Sequence, residues 1–260
     1  DGDKDKAIDF LREKGIAKAE KKAGRIASEG VVASYVSEDG KIASVVEVNC
    51  ETDFAAGNEQ FRSLEEKIAK HIAATNPADL DALNASEIDG KTVAALVTEA
   101  TATIGEKISL RRFVRYETEG RVASYIHMGG KVGVLLSIKA GKEETVKSDA
   151  FKALAKDLTL HIAAAAPKSV SSDSLDPAFV AEEQEIAKQQ LIQEGKPEHL
   201  LEKILPGKLK ALYAQSCLLN QVFVKDPAGK MTVEALLNQA GKELGDDISV
   251  ASFVRYQLGA

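Results

Sequence analysis

The sequence predicts an α+β fold in which two duplicated ββααβ units each cover a small antiparallel sheet with helices. Three observations predict it. The sequence aligns with itself at two fixed offsets, strand-length runs rich in β-branched residues are joined by turn signals, and the segments that follow carry one apolar stripe at helical spacing. An inserted antiparallel helical hairpin and a remnant N-terminal helix complete the expected fold.

The two self-matches are long. At an offset of 90, EGVVASYVSEDGK (29–41) lies over EGRVASYIHMGGK (119–131) with 8 of 13 positions identical. At an offset of 140, residues 92–116 lie over 232–256 with 12 of 25 positions identical. Matches of this length without a gap indicate an internal duplication rather than chance.

The offsets also predict the domain boundaries. A first core unit is expected over 29–118 and a second over 119–260, preceded by a linker and domain remnant over 1–28. Because the offsets differ by 50 residues (140 − 90), the second unit should contain an insertion between Pro167 and Thr232.

The elements of the first unit follow from local patterns. VVASYV and KIASVVEV have strand length, and the Ser-Glu-Asp-Gly between them predicts a hairpin. A helix should follow and end at Asn76-Pro77. Its apolar stripe consists of Phe61, Leu64, Ile68 and Ile72. A second helix is expected from the cap candidate Thr92 to Gly105, and ISLRRFVRY should close the sheet.

Two further segments are predicted to be helical. The insertion, about 177–220, should form helices over Pro177–Glu194 and Glu198–Leu219, with Pro206-Gly207 kinking or interrupting the second. Such a hairpin would serve as an arm for a partner. At the start of the chain, DGDKDKAIDFLREKGIAKAEKKAGR reads as one amphipathic helix with a basic end, and we expect it to be the cut remnant of a small N-terminal domain.

Composition excludes several classes of protein. The formal net charge of −6 argues against a strongly basic nucleic-acid binder. No apolar run reaches the roughly 18 residues of a membrane helix and no secretory leader is evident, so we expect a soluble, unexported chain. Cys50 and Cys217 match neither a CxxC pair nor a disulfide framework, which predicts reduced, buried thiols and no metal site.

Enzyme chemistry has no visible motif. HExxH, GxSxG and paired acidic signatures are absent, and GGKVG lacks the spacing of a phosphate-binding loop. His71 and His161 occupy the same place in both repeats, which favours packing over catalysis. His127 differs because its repeat-equivalent is Ser37, and it is expected at an exposed hairpin tip.

The stretch NCETDFAAGN raises a sharper question. Asp53 and Phe54 correspond to Glu143 and Glu144 in the second repeat, so the aromatic residue occurs in one unit only. A requirement of the fold would have placed an apolar residue in both repeats. We therefore predict an exposed phenylalanine that anchors a protein interface. The basic run over 17–25 fits either a contact with a partner or an ordinary solvated helix face.

CETDFAAGN resembles the TDFVA-basic-N signature of the elongation factor Ts family, the guanine-nucleotide exchange factors of translation factor Tu. The likeness covers essentially the whole chain in order. AIDFLREKGIAKAEKKAGR resembles the end of that family's N-terminal domain, EGVVASYV and NCETDF its first core unit, IGEKISLRR its mid-core stretch, and 178–219 its protruding coiled-coil arm.

This resemblance implies a function without covalent chemistry. The chain would bind factor Tu·GDP, and its Asp-Phe turn would displace the elements that hold Mg²⁺ and phosphates, so that GDP leaves and GTP rebinds. No cofactor, metal, or direct binding of nucleotide, nucleic acid or membrane is expected. The implied location is the bacterial cytoplasm or an organellar matrix or stroma, and either a homodimer or a 2:2 complex with factor Tu is left open.

The resemblance also assigns site residues. The intruding turn is Asp53 and Phe54, shaped by Thr52. Further contacts with factor Tu fall on Ile104, Gly105, His127, Lys21 and Lys22. Two departures concern the same turn, because Ala55 replaces the family's usual valine and Gly57 an often basic residue. Both would weaken the grip on the partner.

Two other functions remain open at this stage. A duplicated scaffold could bind factor Tu or the ribosome without exchange activity, because binding and catalysed release use the same surface. An enzyme with an unrecognised site would instead require a deep pocket lined by titratable groups, whereas we expect a shallow, extended surface.

Overall fold

The computed structural model describes residues 3–260, apart from some side chains between residues 4 and 12 and that of residue 198, and it has an α+β fold with small antiparallel sheets. The helices are α1 (Lys4–Lys22), α2 (Asp53–Ala56), α3 (Glu59–Thr75), α4 (Leu80–Ala85), α5 (Val93–Ile104), α6 (Glu143–Lys147), α7 (Asp149–Ala165), α8 (Pro177–Gln193), α9 (Glu198–Ser216) and α10 (Val233–Leu244). The strands are β1 (Glu29–Val36), β2 (Ile42–Cys50), β3 (Glu87–Ile88), β4 (Lys91–Thr92), β5 (Ser109–Glu117), β6 (Arg121–His127), β7 (Val132–Ala140) and β8 (Ile248–Gln257). None of the helices in this range is both long and apolar enough to cross a membrane.

The chain divides into two compact units. One comprises the residues up to Ser137 together with Val254–Ala260, and the other comprises Ile138–Phe253. The strand orders are β1-β2-β5, β3-β4 and β6-β7-β8. The candidate site lies in the first unit.

The sheet β1-β2-β5 is antiparallel throughout. Strands β1 and β2 pair from Glu29 with Cys50 to Val36 with Ala43, which confirms the predicted hairpin. The β2–β5 pairing slips between Glu47 and Val48, so that Arg111 is the extra residue of a β-bulge. A bulge turns consecutive side chains toward the same neighbour, and this positions two arginines around one glutamate, as described below.

Helices α3 and α5 cover this sheet, and their predicted ends are confirmed. Asn58 accepts a hydrogen bond from the N–H of Gln60 at the start of α3, and Thr92 accepts one from Ala95 at the start of α5. Asn76 and Gly105 end the two helices in the left-handed conformation. The predicted stripe of α3 is buried in one core cluster with residues of β1, β2 and β5.

The C-terminal residues of this unit are held by a buried carboxylate. Glu47 is fully buried and forms ion pairs with Arg111 at 3.2 Å and with Arg112 at 2.7 Å. It also accepts hydrogen bonds from Asn49 and from the backbone N–H of Gly259. Burial alone would raise the pKa of Glu47, but these hydrogen bonds and the charge of Arg112 outweigh it and lower the pKa.

Helix α1 packs against α5, where Gly15 comes so close that a Cβ on it would lie 3.3 Å from the Cβ of Ala102. Phe10 and Ile16 of α1 are nevertheless exposed. The first two residues of the predicted N-terminal helix lie outside the described residues.

In the second unit, α8 and α9 pack against each other and bury Leu191 and Leu201. Helix α9 continues through Pro206, so of the predicted kink or interruption, the interruption does not occur. Pro206 is exposed, and water can therefore reach the carbonyl oxygen that lacks its usual N–H donor. The predicted second helix ends at Ser216, and a 3₁₀ turn over Leu218–Asn220 follows.

Both repeat-equivalent histidines have partners within the protein, as a packing role requires. His71 Nε2 lies 2.7 Å from the Ser86 hydroxyl, which itself donates to Leu83 O, so the imidazole is the donor. His161 is buried; its Nδ1 accepts from the Val224 N–H, and Nε2 lies 2.9 Å from Gln221 Oε1. Burial lowers the pKa of each.

Candidate functional site

The Asp53–Phe54 turn is a single helical turn, α2, with one side outward and the other inward. Phe54 is 87% exposed and Asp53 is also exposed, whereas Ala55 and Ala56 are each 5% exposed and belong to the core cluster. The predicted exposure of the phenylalanine is therefore confirmed. A residue this exposed gains almost nothing for folding from its ring, so the ring is available to another molecule.

Thr52 fixes the start of α2. Its hydroxyl oxygen accepts a hydrogen bond from the N–H of Ala55 at 3.2 Å and caps the helix. The same hydroxyl donates to Oε1 of Glu106 at 2.7 Å, and the backbone N–H of Thr52 donates to Oε2 of Glu106 at 3.0 Å. The Glu106 carboxylate thus clamps Thr52 by two bonds, which agrees with the turn-shaping position predicted for Thr52.

A second cross-link lies beside this clamp. The N–H of Lys107 donates to Glu51 Oε1 at 2.6 Å, and Arg25 approaches the other Glu51 oxygen at 3.3 Å. Lys107 Nζ donates to the carbonyl oxygen of Arg25 at 2.8 Å. The hydrogen bond from Lys107 is the main reason that the pKa of Glu51 is lowered. The segment after α5 is therefore tied both to the end of β2 and to the segment after α1.

Ile104 and Gly105 are the residues directly before this clamp. Gly105 has a φ of 87°, a conformation that favours glycine, and is exposed, while Ile104 is half-buried against the core cluster. Lys22 donates from Nζ to the carbonyl oxygen of Gly105, so its charge already has a partner inside the chain. Lys21 is exposed. Asp53, Phe54, Ile104 and Gly105 are thus joined through Thr52 and Glu106.

His127 ends β6 and is exposed, as predicted. Its Nδ1 lies 2.9 Å from the hydroxyl of Tyr125. The hairpin tip that follows, Met128–Gly130, leaves Met128 71% exposed. Gly130 has a φ of 103°, and a Cβ there would lie 2.8 Å from that of Val31, so only glycine lets the tip approach β1 this closely.

The two departures from the family signature have different surroundings. Ala55 faces the core, so its small size affects internal packing and not the exposed surface around Phe54. Gly57 is exposed with a φ of −80°, and a Cβ there would meet only ordinary contacts at 3.5 Å and beyond. The backbone therefore does not require glycine at this position.

Sequence reasoning missed Glu106 and Arg62, which orient the two exposed segments. Glu106 directly follows Ile104-Gly105, and the 140-residue offset pairs it with the acidic Asp246, a signal that could have identified it. Arg62 donates to the carbonyl oxygen of Gly129, 67 positions away, and no local pattern indicates that contact.

One groove in the second unit is lined by titratable side chains. A groove of about 680 Å³ in the second unit has Lys142, Asp246 and Asp247 in its wall. Asp246 accepts a side-chain hydrogen bond from Thr145 and several from backbone N–H groups, which together lower its pKa. A carboxylate held in this way is a structural acceptor. Among the residues that the structure describes, no cluster of His, Cys, Asp and Glu could hold a metal ion.

Comparison with known proteins decides the family. The family model described as elongation factor TS matches residues 51–260. The chain belongs to the elongation factor Ts family. Its curated relatives include elongation factor Ts of Clostridium kluyveri (42% identical), Clostridium perfringens (44%) and Nitratiruptor sp. (45%). Each alignment covers 99% of this chain and 84% of the relative. Membership of the elongation factor Ts family confirms the resemblance and makes the chain a translation elongation factor.

Proposed function

We propose that this chain is a guanine-nucleotide exchange factor: it binds elongation factor Tu·GDP and promotes GDP release through the Asp53–Phe54 turn. One observation supports this most strongly. Phe54 is 87% exposed at the tip of a turn whose base is capped by Thr52 and clamped by Glu106. An aromatic side chain held out from a rigid base is the kind of residue that anchors an interface.

The mechanism requires only differential binding. Phe54 enters a pocket between helices of the partner's GTPase domain, and that pocket is open when the elements holding Mg²⁺ and the phosphates are displaced. Because the chain binds this nucleotide-free conformation more tightly than the GDP-bound one, it raises the rate of GDP release and allows GTP to rebind. Asp53 adds an exposed carboxylate beside the ring, and no covalent step is involved.

The remaining partner contacts are proposed to surround this turn. Gly105 and Ile104 meet the partner next to the clamp, and His127 meets it from the β6–β7 hairpin. Lys21 is free to reach an acidic surface, whereas Lys22 would first have to release Gly105. We further propose that the core is a duplication of 29–118 and 119–260, preceded by an N-terminal segment over 1–28.

The same proposal covers the arm and the setting. Helices α8 and α9 form a coiled-coil arm that contacts a partner, either factor Tu or a second copy in a homodimer or 2:2 complex. The factor acts in a bacterial cytoplasm or an organellar matrix or stroma, without a cofactor.

The test is stopped-flow release of a fluorescent GDP analogue from factor Tu. The wild type should accelerate release strongly, and Phe54→Ala should lose about thirtyfold of that acceleration, because an anchor aromatic contributes on the order of 2 kcal/mol. Glu144→Ala is the matched control, since Glu144 is the exposed repeat-equivalent of Phe54. The Glu144→Ala variant should accelerate GDP release from factor Tu as strongly as the wild type does.

Folding is checked separately. The free energy of unfolding of Phe54→Ala should lie within about 0.5 kcal/mol of the wild-type value, because the lost ring is exposed. If the wild type binds factor Tu without accelerating release, the chain is a scaffold and the exchange proposal is wrong.

A further inference from the structure

We propose that Glu106 is a positioning residue for nucleotide exchange: its carboxylate holds the Asp53–Phe54 turn and the Ile104–Gly105 segment as one rigid surface. The inference rests on the proposed function, because the surface it orders is the one that would enter factor Tu. Glu106 itself need not touch the partner.

The geometry gives Glu106 control of both segments. Its two carboxylate oxygens accept hydrogen bonds from the Thr52 hydroxyl at 2.7 Å and from the Thr52 N–H at 3.0 Å. In the chain, Glu106 directly follows Gly105, whose carbonyl oxygen receives the amine of Lys22. Hydrogen bonds to a charged acceptor are stronger than neutral ones, and two of them fix direction as well as distance.

The turn needs such a restraint. Helix α2 is a single turn of four residues, and isolated turns of this length are unstable because nucleation is unfavourable. Phe54 contributes almost no packing of its own, since it is exposed. Without the clamp, the residues of α2 would have to be ordered when Phe54 enters the partner's pocket, and that ordering costs conformational entropy.

The second repeat contains an equivalent clamp, made by two backbone N–H donors, without the aromatic residue. Asp246, the repeat-equivalent of Glu106, accepts from the N–H groups of Gly141 at 2.9 Å and Lys142 at 2.8 Å. Lys142 Nζ donates to the carbonyl oxygen of Gly245, the equivalent of Gly105. The clamp is therefore a feature of both repeats. In the first repeat the clamp lies at the start of α2, which carries Asp53 and Phe54. In the second it lies at the start of α6, whose first two residues are Glu143 and Glu144.

This duplication supplies a matched pair of variants. Glu106→Gln keeps the shape of the side chain but replaces one acceptor oxygen by an NH₂ group, which cannot accept from Thr52. Asp246→Asn makes the same change in the second repeat. A general cost of losing a clamp should appear in both variants, whereas a positioning role toward exchange should appear only in Glu106→Gln.

The first readout is GDP release from factor Tu over a range of exchange-factor concentrations. We expect Glu106→Gln to lower the limiting release rate about tenfold, with less than a threefold change in the concentration that gives half of it. That factor of ten corresponds to about 1.4 kcal/mol. Asp246→Asn should stay within about twofold of wild type in both quantities. A merely structural loss would instead lower the active fraction of both variants and leave the limiting rate per active molecule unchanged.

The second readout needs no partner. Amide hydrogen exchange at Ala55, Ala56 and Gly57 should accelerate at least fivefold in Glu106→Gln and remain unchanged in Asp246→Asn. Thr52→Val is a second variant, which loses both the hydroxyl donor and the cap, and it should accelerate the same three amides. If Glu106→Gln is too unstable to study, Thr52→Val still tests the clamp at Ala56 and Gly57, whose amides donate to backbone carbonyl oxygens and not to the lost hydroxyl.

The outcomes separate the two proposals. Unchanged amide exchange, an unchanged limiting rate in Glu106→Gln, or equal losses in both clamp variants would overturn the positioning role. If the wild type itself does not accelerate GDP release, the exchange function fails, and the amide exchange still decides whether Glu106 orders the turn.

Discussion

Arg62 donates from Nη2 to the carbonyl oxygen of Gly129 at 3.0 Å and pairs through Nη1 with Glu65 at 3.1 Å. One guanidinium on α3 therefore joins a buried carboxylate to the hairpin tip that follows His127. Glu65 is 5% exposed, and its Oε2 has no hydrogen-bond partner among the described residues. The arginine that contacts this hairpin is therefore paired with a carboxyl group whose charged form is disfavoured by burial.

Glu65 should make stability depend on pH near neutrality. Burial raises its pKa from 4.5 to about 7, although Arg62 opposes the shift. Because the folded state then holds the proton more tightly than the unfolded state, the contribution of Glu65 to stability falls as pH rises from 4.5 to about 7. The total change is on the order of 3 kcal/mol. Urea unfolding at several pH values should show Glu65→Gln becoming steadily more stable relative to wild type across this window.

The comparison with Glu65→Gln is needed because the partly buried His71 and the buried His161 act in the opposite direction. The lowered pKa values of His71 and His161 mean that stability is lost as pH falls below 6.5. Subtracting the variant from the wild type removes their effect. A flat difference for Glu65→Gln would show that Glu65 titrates normally.

Arg62→Met should loosen the hairpin tip. The variant keeps most of the apolar stem but removes both the donor to Gly129 and the partner of Glu65. We expect faster amide exchange over Met128–Lys131 and a further rise in the pKa of Glu65. The measurement is site-resolved hydrogen exchange, with the exposed Lys67→Met of the same helix as control. Equal protection of the tip in wild type and Arg62→Met would contradict the role given to this contact.

Local and distant contacts explain what the sequence could predict. Helices α3 and α5 could be predicted because their signals depend only on residues close by in the sequence. These signals are the apolar stripe from Phe61 to Ile72 and the caps at Thr92 and Gly105. Helix α2 was expected only as a turn, because it is one turn long and Glu106, which clamps its cap residue, lies 54 positions beyond Thr52. The bulge at Arg111 was not predicted either, because it depends on how β5 pairs with β2.

Glu47→Gln should destabilise the first unit and release the C-terminal residues. The change removes a buried negative charge that Arg111, Arg112 and Gly259 all contact, and breaking a buried ion pair costs roughly 3–5 kcal/mol. We expect a loss near the lower end, because both arginines are partly exposed and can recover water. Urea unfolding at pH 7 measures the loss, and amide exchange at Gly259 reports the release.

The pH dependence of that loss has the opposite sign to that of Glu65. Since the pKa of Glu47 is lowered in the fold, its stabilisation is present above 4.5 and is lost as pH falls through the folded pKa. The difference between wild type and Glu47→Gln should therefore shrink in acid. Glu117→Gln is the control, because its ion pair with Arg115 at 2.8 Å involves an exposed carboxylate and should contribute less than about 1 kcal/mol. Equal losses in both variants would contradict this account.

Cys50 offers a chemical measure of the order around the Asp53–Phe54 turn. Its thiol is buried and donates to the carbonyl oxygen of Thr52 at 3.1 Å, and burial, followed by the charge of Glu106, raises its pKa to about 11. Because the thiolate is the reactive form, a rise of two units from 9 alone lowers reactivity at pH 8 about a hundredfold. In a Cys217→Ala background, labelling of Cys50 by a disulfide reagent should be at least a hundredfold slower in the native protein than in urea.

The Glu106→Gln variant should accelerate this labelling, since it removes the nearby charge and loosens Thr52, whereas Asp246→Asn should not. Native labelling as fast as unfolded labelling would mean that the turn is open in solution.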